Sequence, residues 1–249
     1  SLENLKQVIV QERAWVPYPS YNDRAGWDRM MGEYKNDVIA KGEKYLNYAW
    51  QVVEATDYIE FEKSGDRDIM QVPLNANLSA IASLFAAELA EGKGRFVPMI
   101  ANGVWHTCEM TSWALSAHLA PYSYAKRSLP VKGDNTLELT QGGISQMFSW
   151  IYYFLKDELD KLQPEISKRL KEEIKYRELD SYLEREDFWW MGFAKTQKQN
   201  NWNPWCNSNA LLCFMLMEDD PERLAQGVWK TVRSVDLYIN DIQGDGGIE

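Results

Sequence analysis

The 249-residue chain holds three cysteines, two histidines, and 27 basic residues against 37 acidic ones. Each shortage excludes a class of protein. Cys108, Cys206 and Cys213 are odd in number and show no C-x-x-C spacing, so they read as neither a disulfide framework nor a zinc motif. His106 and His118 are too few for a histidine-rich centre, and no metal or cofactor is expected. A net charge of −10 lacks the basic face that nucleic acid requires, which argues against that partner. Long apolar runs are missing as well. The stretch "ALLCFMLM" at 210–217 falls short of the ~20 residues of a membrane span, so no span is expected. Nothing at Ser1 reads as a secretory leader. The glycines at 244, 246 and 247 follow a helical pattern instead of joining a strand to a helix, which excludes a phosphate loop.

What the chain has in quantity is aromatic residues (13%, with eleven Trp and thirteen Tyr) and apolar positions at helical spacing. Asn22 or Asp23 caps an expected helix from Trp27 to Tyr45. Leu78, Ile81, Leu84, Phe85 and Leu89 form a stripe ending at Gly92, resumed over 95–109 by Phe96, Ile100 and Val104. Ile144, Phe148, Ile151, Leu155, Leu159 and Leu162 form a longer stripe, and Pro164 opens the next helix with Ile166, Leu170 and Ile174. The last helix begins at a capping-box-like Asp219-x-x-Glu222, with Pro221 in its first turn. "YIEFEK" from Tyr58 is the one short strand candidate. The expected class is all-α, built from antiparallel helical hairpins in one domain spanning 1–249. Loops at 110–135 and 186–202 are too long and too aromatic for plain connectors.

Two constellations carry chemistry. In "NNWNPWCNSN", at 200–209, five asparagines stand among Trp202 and Trp205. Buried amides need partners, whereas sugars need both amides and flat rings. The plainer reading is a polar helix start that bonds neighbouring loops. In "WHTCEMTSW", at 105–113, His106 and Glu109 share a helical face at i and i+3, which suits a metal pair or a proton-handling pair, the plainer reading being a helix-end His bonded to a carboxylate.

"NDRAGWD" at 22–28, "AAELAEGKGRFVPMIANGVWHTCEMTSWALSAHL" from Ala86, "NNWNPWCNSN" and "EDDPERLAQGVWKTVRSVD" from Glu218, taken in order, resemble the heparinase II/III-like polysaccharide lyases. The resemblance implies an (α/α) toroid, an incomplete barrel of hairpins. The β-sandwich domain that follows the toroid in that family is absent from 1–249. It further implies an exported, periplasmic or secreted enzyme whose leader has been removed. The family's catalytic tyrosine is expected past Glu249, so the 249 residues alone are expected to bind acidic polysaccharide without appreciable turnover.

The implied reaction is β-elimination on uronic-acid polymers such as heparan sulfate or alginate. A base takes the C5 proton beside the uronate carboxylate, a donor neutralises that carboxylate, and the C4 oxygen leaves. The resemblance assigns the neutralising role to Asn201. Some relatives place a His directly after this Asn; here it is Trp202, so the base stays open, with His106 and Glu109 as the other candidate catalytic residues. Trp105, Trp113, His118, Trp189, Lys195, Lys198, Trp202, Asn203, Trp205 and Asn207 are the expected substrate-binding residues. Two alternatives stand beside this reading. One is a helical-barrel glycoside hydrolase, which needs two opposed carboxylates. The other is a non-catalytic glycan-binding toroid.

Overall fold

The structure is a computed structural model that describes the whole chain except residues 1, 11, 195–197, 245 and 247–249. Among the described residues it is helical with no strand. Its helices are α1 (Leu2–Val8), α2 (Arg24–Met31), α3 (Lys35–Glu43), α4 (Ala55–Ser64), α5 (Asp68–Glu91), α6 (Val97–Cys108), α7 (Ser116–Tyr122), α8 (Leu139–Leu162), α9 (Pro164–Ile174), α10 (Ser181–Glu184), α11 (Trp202–Met217) and α12 (Pro221–Asp241). A π-helical segment, Lys175–Asp180, joins α9 to α10.

Short connections force neighbours to double back. Gln163 alone separates α8 from α9, and 218–220 separate α11 from α12. The packing follows the chain: α3 on α5, α5 on α6, α6 on α8 and α9, α8 on α11, and α11 on α12. The apolar stripes meet in one core, where Ile81, Leu84, Phe96, Ile100, Phe148 and Phe214 are fully buried. Close approach depends on a missing side chain at Gly227, where a Cβ would stand 2.5 Å from the Phe214 ring.

Several expectations change in detail. The helix expected over 27–45 breaks into α2 and α3, because Gly32 adopts φ +51° and a 3₁₀ turn follows. "YIEFEK" lies within α4, not a strand. Local capping overrides its alternation, since Asp57 accepts the Glu54 N–H at 2.8 Å and Gly65 ends the helix in the left-handed region. The cap of α12 is Asp220, which accepts from the Glu222 and Arg223 N–H groups. Asp219 instead takes ion pairs from Arg13 and Lys171. Asp23 caps α2 through Gly26 N–H. The three cysteines are buried and free.

The length of α5 also departs from the sequence reading. Among the described residues it is the one helix long and apolar enough to cross a membrane. It packs against α2, α3, α4, α6 and α8. Its buried Glu88 accepts from the Tyr21 hydroxyl and from the Gly94 and Phe96 N–H groups, which ties down the turn leading into α6.

Candidate functional site

The asparagine-rich stretch divides into an outward and an inward part. Asn200 Oδ1 accepts the Trp202 N–H at 3.0 Å and so starts α11. Asn201, at the N-cap position, makes no side-chain cap bond and is exposed. Asn203 is fully buried; its amide nitrogen donates to Trp190 O, to Gln199 Oε1 and towards Ser234. Asn207, one turn on, donates to Asn203 O and Ser234 Oγ and accepts from the Tyr182 hydroxyl. Asn203 and Asn207 therefore hold α11 to α12 and to the loop before it.

Trp202 lies half-buried at the centre of an aromatic group. Its ring meets His118 at 4.8 Å, Trp189 at 5.4 Å and Tyr122 at 5.6 Å. Trp205 stands 56% exposed one turn further along α11. Lys198 is exposed beside the turn, and Lys195 lies outside the described residues.

His118 is the titratable imidazole of this group. Its Nδ1–H donates to Glu138 Oε2 at 2.5 Å, and its side chain is 12% exposed. The carboxylate acceptor makes Nδ1 the donor and fixes the orientation of the ring. Glu138 is the N-cap of α8, and its Oε1 accepts the Gln141 N–H at 2.8 Å. Its buried charge is thus shared between the helix amides and the imidazole. The site thus sets an imidazole oriented by a buried carboxylate against the Trp202 ring.

His106 and Glu109 belong to a second group, at the C-terminal end of α6. They line a cavity of about 370 Å³ with Tyr58, Thr111 and apolar Leu129 and Pro130. His106 Nε2–H donates to Gln51 O at 3.0 Å, and the ring stacks on Trp50. Glu109 pairs with Arg169, whose guanidinium also lies over Trp105. Burial pushes the Tyr58 hydroxyl up to about 12, which keeps it a donor. Trp113 is a core residue: its indole N–H donates to Thr107 O, and it packs on Phe148 beneath Arg177. Its burial rules it out as a sugar-stacking ring in this structure.

Sequence reasoning missed Glu138, Tyr122 and Tyr58. Glu138 had a readable signal, an E-x-x-Q pattern directly before an apolar run. Tyr58 was hidden inside the strand candidate. Among the described residues no three His, Cys, Asp or Glu side chains converge as a metal site. No family model and no curated protein matches the chain.

Proposed function

We propose that the chain is the helical part of a polysaccharide lyase that performs β-elimination on uronic-acid polymers. The observation that carries this reading is Trp202, the residue after Asn201, standing against an imidazole whose Nδ1–H is held by buried Glu138. In this proposal Nε2 of His118 takes the C5 proton. The C5–H electron pair becomes the C4–C5 double bond, the C4–O bond breaks, and the leaving oxygen gains a proton. Asn201 donates to the uronate carboxylate, and Trp202, Trp189 and Tyr122 offer ring faces. The serial pairing of α5, α6, α8, α9, α11 and α12 supports the toroid that the resemblance implies.

The hydrolase alternative is weaker on the same geometry. Glu138 is committed to His118 and the Gln141 N–H at the start of α8, and Glu109 to Arg169, so neither stands free as one of the two opposed carboxylates that chemistry needs. The test is incubation of the full-length enzyme with heparan sulfate and with alginate while the ultraviolet absorbance of unsaturated product is followed. His118→Ala and Asn201→Ala should each lower the rate by about 10²–10³-fold or more. Unchanged rates in both variants, or saturated products only, would overturn the reading.

A further inference from the structure

Glu178 stands in the π-helical segment, 2% exposed. Segments of this kind recur at functional sites, where they aim one side chain out of helical register. Its carboxyl faces α8, where Gln141 and Ser145 lie against it. The titratable groups packed around it are the Tyr182 hydroxyl from α10, the Cys206 and Cys213 thiols from α11, and Glu138 beyond Gln141.

The hydrogen bonding around it is incomplete in a specific way. Glu178 Oε2 and Gln141 Oε1 are both buried, both acceptors, and both without a partner. The Gln141 amide nitrogen donates to Ser145 Oγ and Arg177 O, each at 3.2 Å. Turning the amide round would set its oxygen against the Arg177 carbonyl, so its orientation is determined. A carboxylate here would be a buried charge without a cation, which folded chains avoid by taking up a proton. One proton on Oε2 would make it a donor, and the orphaned Gln141 Oε1 is a buried acceptor in the same cluster. Burial is the largest influence and pushes the carboxyl up to about 7, against Gln141 and Ser145, whose hydrogen bonding favours the charged form.

Gln141 connects this group to the site. Its backbone N–H donates to Glu138 Oε1, and Glu138 Oε2 holds His118. We infer that Glu178 is kept as the un-ionised acid and, by donating its proton to Gln141, positions the carboxylate that orients His118. Glu178 touches no substrate; it is a positioning residue for the imidazole. The inference concerns the same His118–Glu138 pair as the proposed elimination site, but its test needs no turnover, so either reading can fail alone.

The test compares wild type with Glu178→Gln and Glu178→Ala. Infrared difference spectra at about pH 6, where an ordinary carboxyl is ionised, should show an un-ionised carboxyl band in wild type that Glu178→Gln lacks. The Gln variant places an amide donor where the acid O–H was. It should keep the thermal midpoint and the downfield proton resonance of His118 Nδ1–H. Glu178→Ala should lower the midpoint and shift or broaden that resonance. Absence of the carboxyl band overturns the inference. So does a Gln variant as destabilised as the Ala variant, or an unmoved His118 resonance in Glu178→Ala.

Discussion

Asn203→Ala is the sharpest probe of the asparagine-rich turn, because the same substitution at Asn201 should behave oppositely. The Asn203 side chain is fully buried. Its amide nitrogen serves Trp190 O at 2.7 Å, Gln199 Oε1 at 2.7 Å and Ser234 at 3.1 Å, and its oxygen receives Asn207 Nδ2 at 3.1 Å. Truncation strands the Trp190 carbonyl and the Gln199 amide oxygen, while Asn207 and Ser234 keep each other. At about 1–3 kcal/mol for each of the two buried groups left unpaired, the loss comes to about 2–6 kcal/mol. At about 2–4 °C per kcal/mol for a chain of this size, the midpoint falls by roughly 4–24 °C. Asn201 is exposed and makes no cap bond, so Asn201→Ala should stay within about 0.5 kcal/mol of wild type. Urea denaturation of the two variants side by side decides between these values. If Asn203→Ala costs less than about 1 kcal/mol, or Asn201→Ala costs as much as Asn203→Ala, the division into a structural and a ligand-facing asparagine is wrong.

Other expectations follow from the same contacts. The Glu178 carboxyl rises from 4.5 in the unfolded chain to about 7 when folded, so its proton stabilises the fold fully below the lower value. That contribution, on the order of 3 kcal/mol, is lost as pH climbs through the upper one. Denaturation of wild type and Glu178→Gln across this window should show the slope in wild type alone, and parallel profiles would refute it. Gly227→Ala drives a methyl into the Phe214 ring and should cost about 1–3 kcal/mol; a variant as stable as wild type would show that α12 can shift away. Glu138→Ala removes both the α8 cap and the His118 partner. It should lower stability by about 1–3 kcal/mol and elimination by about 10²–10⁴-fold, and a loss of stability with full activity would separate Glu138 from the chemistry.

Much of the helical architecture is legible in local patterns. The 3.6-residue stripes of α5, α6, α8, α9 and α12 persist because each apolar face is read from neighbours three and four residues away. Pro164 and Pro221 mark helix starts, and Gly92 a helix end, through their own backbone preferences. Short-range competition explains the errors. At 58–63 a period-two alternation was outweighed by the caps at Glu54 and Gly65, and Asp219 looked like a cap until ion pairs with Arg13 and Lys171 claimed it.

The site shows the same boundary between local and distant information. Composition and spacing alone determined an all-helical chain with an acidic balance and a turn that mixes amides with indoles. They could not say which asparagine faces outward, because that depends on Ser234 and Trp190, brought to α11 from distant parts of the chain. Nor could they pair His118 with Glu138 or set Glu178 against Gln141. Each of those partnerships joins two elements, and its strength comes from burial, which removes the competing water and exists only once the helices pack.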